Sequence, residues 1–124
     1  MRINTGGELL IGTTTDSGNY LLQVNGNVYA AAYFESSDVR YKNIIATNPE
    51  KSLNIDVIQF TRKGDTDVRY GYSAQQILEV APELVDASGS GWGVKYLDVH
   101  TLLINDLKKE VKQLKEKLKQ NGIN

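Results

Sequence analysis

Ser37-Asp38-Val39-Arg40-Tyr41-Lys42-Asn43-Ile44 stands where this chain changes character. Before it, from about Arg2 to Ser36, the sequence is rich in Gly, Thr and Asn and has no proline. After it, strand-like and helix-like apolar patterns follow one another closely. The stretch also sets a serine and a lysine five residues apart. Taken alone that spacing says little, because short motifs recur by chance. Its plain reading is a turn or helix N-cap at Ser37-Asp38, followed by a solvated lysine.

The totals describe one modest unit with an appendage. The chain has 124 residues, 40% hydrophobic and 23% charged, with a formal net charge of -1. A balance so close to neutral gives no electrostatic footprint for nucleic acid or for an acidic membrane. Cysteine is absent, which excludes disulfides, thiolate catalysis and thiolate metal sites. No apolar run approaches the roughly 20 residues that span a bilayer, and no stretch of signal-peptide form opens the sequence. Met1 is followed at once by strand-like residues, so a piece of a longer protein is expected.

In the first zone Glu8-Leu9-Leu10-Ile11-Gly12 and Tyr20-Leu21-Leu22-Gln23-Val24 read as short strands. A turn at Asn25-Gly26 leads into Val28-Tyr29-Ala30-Ala31-Ala32-Tyr33-Phe34. The plain alternative is a hairpin at the edge of a globular sheet. Isolated short strands are marginal in water. Identical strands from several chains wound about a shared axis bury those apolar residues, so a multi-chain stalk is the expectation.

From about Ser37 to Leu97 the patterns alternate. Asn48-Pro49-Glu50-Lys51 has a cap residue, proline at the first helical position and an acid in the first turn, predicting a short helix. Val57–Arg62 and Val68–Tyr72 read as strands joined by the polar turn Lys63-Gly64-Asp65-Thr66-Asp67. Ser73-Ala74-Gln75-Gln76 fits a capping box, with Ile77, Leu78 and Ala81 as the apolar face of a helix that Pro82 ends. After the flexible Ser88-Gly89-Ser90-Gly91, the run Trp92–Leu97 predicts another strand.

A long helix is predicted from about Asp98 to Lys119. Leu97, Ile104, Val111 and Leu118 fall at heptad a positions, with His100, Leu107 and Leu114 at d. This spacing marks a coiled-coil seam, and Glu110 at g matches Lys115 at the following e of a parallel neighbour. The alternative is one amphipathic helix lying on its own domain. So few heptads do not associate alone, so the rest of the chain must help hold an oligomer together. Oligomer number is not readable from the seam.

The residues after the junction carry a resemblance. Ser37, Asp38, Arg40, Lys42 and Ile44 fit S-D-x-R-x-K-x-I, which resembles the autoprocessing signature of the intramolecular chaperone domains that end phage tailspikes, tail fibres and endosialidases. Tyr70-Gly71-Tyr72-Ser73-Ala74-Gln75-Gln76 is similar to that family's G-[FY]-x-A-Q-[ED] helix, with Gln76 where an acid is commoner. Pro82-Glu83-Leu84-Val85 looks like its P-E-L-V ending, and Tyr96-Leu97 like its closing Tyr and Leu-rich helix. The matches run in order from about Ser37 to Lys119.

The resemblance implies an α+β homotrimer with a short stalk of triple-β-helix type, a compact chaperone domain and a C-terminal coiled-coil helix. Residues 1–36 are then the end of the stalk and 37–124 the chaperone, with the long helix over 98–119. It implies folding in a host cytoplasm as part of a fibre precursor, and release from the mature virion by autoproteolysis. The partner is the chain itself, with no nucleic acid, membrane, cofactor or metal. Two rivals stay open: a trimerising foldon that does not cut, and a receptor-binding fibre tip presenting Trp92 and the tyrosines.

By the same resemblance the nucleophile falls on Ser37 and the base on Lys42. Such a pair needs the hydroxyl within hydrogen-bond reach of a neutral amine. A free lysine titrates near 10.4 and must fall by about 2 to 3 units to serve near neutrality, through burial or neighbouring cations. Arg40 either supplies such a cation or pairs with Asp38. Attack by Ser37 on the Ser36 carbonyl passes through a five-membered ring and cuts between Ser36 and Ser37. Cutting Ser37–Asp38 instead needs a strained four-membered ring or a serine from another chain. The two side chains are expected to meet only once three copies have wound together.

The remaining candidates read as structural. His100 is the only histidine, which excludes triads and histidine metal sites; it is expected to pack or pair across the trimer axis. Trp92 is expected as a core or intersubunit plug. Asp65, Asp67, Asp86 and Asp98 lack calcium-loop spacing and read as turn and cap residues.

Overall fold

The apolar pairs of the first zone become very short strands. In a computed structural model, which describes residues 1–122, β1 (Arg2–Ile3), β2 (Leu9–Ile11) and β3 (Leu22–Val24) form one sheet in that order. β1 runs antiparallel to β2, whereas β2 and β3 are parallel and set Leu10 against Gln23. The pair is therefore no hairpin. The stretch between Ile11 and Leu22 is long enough to cross over, and the buried Gln23 amide closes it. Its Nε2 donates to Asp16 Oδ1 at 2.9 Å and to the Gly18 carbonyl at 3.0 Å. Its Oε1 accepts the Ser17 N–H at 2.8 Å, so the buried side chain is satisfied at both ends. Beyond Asn25-Gly26 the run Val28–Phe34 forms no regular element, and Val28, Tyr29, Tyr33 and Phe34 are exposed.

The chain divides into two compact units, one comprising Met1–Thr47 with Ser88–Gly91 and the other Asn48–Ala87 with Trp92 onward. Of the region expected over 37–124, Ile123 and Asn124 lie outside the described residues.

The second unit is a small α+β fold. β4 (Ile58–Phe60) and β5 (Arg69–Gly71) make the predicted hairpin, with Ile58 opposite Gly71. α1 (Ala74–Val80) starts at Ser73, whose Oγ accepts the Gln76 N–H at 3.2 Å. The Gln76 side chain, which a full capping box turns back towards the cap, instead grips Asp56: it accepts the Asp56 N–H at 2.9 Å and donates to Oδ2 at 3.0 Å. Pro82 stops α1 and opens a 3-10 turn over Pro82–Leu84. β6 (Val85–Asp86) then pairs antiparallel with β7 (Gly93–Val94), and α2 (Tyr96–Gln120) begins two residues before the predicted start at Asp98.

The core of this unit is Leu53, Ile77, Ala81, Leu84 and Val99, flanked by Ile55, Tyr72, Val85, Val94, Leu102 and Leu103. Burying a side chain such as Ile77 contributes about 1.5–3 kcal/mol. α2 presents Val99, Leu102 and Leu103 to this core. Its heptad seam points elsewhere: Leu97, Ile104, Leu107, Val111, Leu114 and Leu118 are all between 45% and 60% exposed. The seam is therefore not the face by which the helix lies on its own domain.

The short helix predicted at Asn48-Pro49-Glu50-Lys51 does not form. Asn48 adopts φ +50°, the left-handed region, where a cap residue would be extended. The segment runs along α2 as a strap. Its Pro49 carbonyl accepts from Asn105 Nδ2 at 3.1 Å and Lys109 Nζ at 2.7 Å. Asp106 accepts the Leu53 N–H at 3.1 Å and the Ser52 hydroxyl at 3.2 Å. These tertiary bonds take up backbone groups that a helix would have paired internally.

Candidate functional site

The junction stretch folds on itself. Asp38 sits in an extended conformation and its Oδ1 accepts the Arg40 N–H at 3.0 Å, capping a single 3-10 turn over Val39–Tyr41. The Lys42 N–H closes that turn on the Val39 carbonyl at 3.1 Å. The chain thus reverses within a few residues, and Lys42 Nζ comes to 2.7 Å from Ser37 Oγ.

Arg40 does not approach the lysine as a free cation. Its Nη2 lies 2.6 Å from Asp38 Oδ2, and its Nε is 3.1 Å from both carboxylate oxygens. The guanidinium, and after it the Arg40 amide N–H, hold the Asp38 carboxyl below its ordinary range; Arg40 is pushed up in return. Of the two roles open to Arg40 in the sequence, pairing with Asp38 is the one adopted.

Ser37 and Lys42 meet within one chain, which corrects the expectation that their meeting awaits three wound copies. The reason is the locality of the turn: the hydrogen bonds that close it run between residues 37 and 42. Ser36, Ser37, Arg40 and Lys42 are exposed and Asp38 is half-buried. The bonds on either side of Ser37 lie in chain with no regular structure. Around the pair Val39, Tyr41, Ile44 and Ile45 are exposed, Ile45 almost wholly so at 99%.

His100 is held within its own chain. Tyr72 Oη is 2.8 Å from His100 Nδ1, and the Tyr72, Tyr96 and His100 rings pack with centroids 5.2–5.9 Å apart. Tyr96 Oη also accepts the Tyr72 N–H at 3.1 Å. Trp92 is 41% exposed and fills no core position of this chain, so its expected role as a core plug is not met within one copy. Sequence reasoning missed the polar anchor formed by Asn105, Asp106 and Lys109. The signal was there, as successive polar residues on the helix flank opposite the seam, but they read as ordinary surface.

Among the described residues no group of His, Asp and Glu is placed to hold a metal ion, and no helix is long and apolar enough to cross a membrane. No family model, curated protein or solved structure matches this chain.

Proposed function

We propose that this chain is a self-releasing intramolecular chaperone: the C-terminal trimerising domain of a phage tail fibre or tailspike, attached to the last turns of its β-stalk and cutting itself free at Ser37. The observation that carries the reading is the 2.7 Å approach of Lys42 Nζ to Ser37 Oγ. That is the distance at which an amine takes a proton from a hydroxyl.

The chemistry uses no cofactor. Lys42, as neutral amine, takes the Ser37 hydroxyl proton while Oγ bonds to the Ser36 carbonyl carbon. The tetrahedral oxyanion collapses, the bond from that carbon to the Ser37 nitrogen breaks, and the lysine returns its proton to the departing amine. Water then hydrolyses the Ser36–Ser37 ester, leaving a carboxylate on Ser36 and restoring the hydroxyl on the new N-terminal Ser37.

Timing follows from exposure. Burial favours the neutral form of an amine, and a single copy leaves the pair in water. Neighbouring copies that wind over Val39, Tyr41, Ile44 and Ile45 exclude that water, so cutting follows assembly although the pair is already formed. The bare seam on α2 supports the same order of events. Trimerisation through it gathers three stalk ends at high local concentration, which offsets the slow search of interchain β-pairing. Removing the domain afterwards leaves a stalk that is trapped kinetically.

Mass spectrometry of freshly expressed protein tests this. The wild type splits into residues 1–36 and 37–124, while Ser37→Ala and Lys42→Ala stay intact and still associate. An associated wild type that never splits identifies a non-cutting foldon instead. A chain that stays monomeric at high concentration overturns the reading altogether.

A further inference from the structure

We infer that Asp38 is a positioning residue for the Ser37–Lys42 pair: its carboxylate shapes the turn that returns the lysine to the serine, and it does so as a hydrogen-bond acceptor rather than as a charge. The inference deepens the self-cleavage reading and rests on it for its catalytic consequence. Its geometric content stands separately.

The geometry separates two functions of one side chain. Oδ1 accepts the Arg40 amide at 3.0 Å, and this bond fixes the start of the turn. The same carboxylate binds the Arg40 guanidinium through Oδ1 and Oδ2, at 2.6–3.1 Å. The first bond is between backbone and side chain and sets φ and ψ ahead of Lys42. The second joins two side chains at the surface, where Arg40 is 79% exposed. Exposed ion pairs contribute little to structure, whereas an Asx-type cap determines the local path of the chain. Val39–Tyr41 has no buried residue, so packing does not hold the turn. The lysine reaches the serine only if the turn closes, and a misplacement of about 1 Å in such a pair costs about 100-fold in rate.

Three variants separate acceptor from charge. Asp38→Asn keeps an oxygen for the Arg40 N–H and loses the ion pair; Arg40→Gln keeps the cap and also loses the ion pair; Asp38→Ala loses both. Self-cleavage is followed by mass spectrometry, and the Ser37 Hβ to Lys42 Hε contact by nuclear Overhauser spectroscopy in a Ser37-containing chain held at a pH where it is uncut. Asp38→Asn and Arg40→Gln are expected to cleave within about threefold of wild type and to keep the contact. Asp38→Ala is expected to cleave about 100-fold more slowly and to lose it. An Asp38→Ala chain that keeps the contact overturns the inference, whether or not the protein cuts itself. An Asp38→Asn chain as slow as Asp38→Ala overturns the acceptor role in favour of charge. A wild type that shows the contact, sensitive to Asp38→Ala alone, yet never cleaves, sinks the self-cleavage reading and leaves the positioning role standing.

Discussion

The Leu53 amide donates to the Asp106 carboxylate at 3.1 Å across 53 residues of sequence. Asp106 takes the neighbouring Ser52 hydroxyl as well, so one side chain on α2 fixes both the strap and the Leu53 side chain that enters the core. Asp106→Ala leaves a partly buried N–H without its acceptor, a loss of about 1–3 kcal/mol. Urea denaturation of Asp106→Ala beside Asp106→Asn, which keeps one acceptor oxygen, measures it; equal midpoints for Asp106→Ala and wild type refute the anchoring role.

Core and seam separate cleanly on α2 and its neighbours. Ile77 is fully buried, and Ile77→Ala is expected to cost about 2–5 kcal/mol. Leu114 is 59% exposed, so Leu114→Glu changes the stability of a single chain by no more than about 0.5 kcal/mol. Its expected effect is on association: the mass in solution falls towards that of one copy. Sedimentation of both variants checks the contrast, and an unchanged mass for Leu114→Glu excludes the seam as the contact.

Gly71 faces the Tyr96 hydroxyl so closely that an added Cβ would collide with it. Tyr96 is pinned by its packing on Tyr72 and by the Tyr72 N–H it accepts. Gly71→Ala is expected to destabilise by about 1–3 kcal/mol. Tyr96→Phe alone costs about 0.5–1.5 kcal/mol, the worth of one hydrogen bond. Combined, the two fall short of additive because the missing hydroxyl makes room. A strictly additive thermal-melting cycle refutes the collision.

Acid weakens the first unit in a defined direction. The Gln23 amide, and after it the Gly18 N–H, lower the Asp16 carboxyl from its ordinary value of 3.8. A folded value below the unfolded one means the stabilisation is complete above about pH 4 and is lost as pH falls through the lowered value. Asp16→Asn is therefore expected to lose less stability than wild type between pH 5 and about pH 2 in parallel urea titrations. A wild-type midpoint flat over that range refutes the contribution.

Much of the second unit was legible because its signals were local. The Lys63-Gly64 turn between two β-rich runs gave the β4–β5 hairpin, Ser73 gave the start of α1, and heptad spacing gave α2 to within two residues. What failed was local preference overruled at long range. Asn48-Pro49-Glu50 has the composition of a helix start, yet Asn105 and Lys109 bind the Pro49 carbonyl and Asp106 binds the Leu53 N–H, so the segment lies along α2 as a strap. Gln76 was read through Ser73 but answers to Asp56, twenty residues earlier. An acid at 76 would accept the Asp56 N–H but repel its carboxylate, whereas the amide satisfies both. At the candidate site the sequence named Ser37 and Lys42 as a pair, and the structure brings their side chains together. That they touch without help from other copies was not legible: a cap at Ser37-Asp38 was, but the sequence left the lysine after it in solvent, whereas the turn capped by the Arg40 N–H on Asp38 returns Lys42 to Ser37.

The hydrogen bonds that shape the turn at the junction run among the six residues Ser37 to Lys42. Such an arrangement is expected to be portable: spliced between two unrelated proteins, the peptide should carry its geometry with it. Under the self-cleavage we propose, reactivity would not travel so easily, since the exclusion of water from the pair would have to come from whatever surrounds the insert. On that reading the segment is a cassette whose trigger belongs to its host.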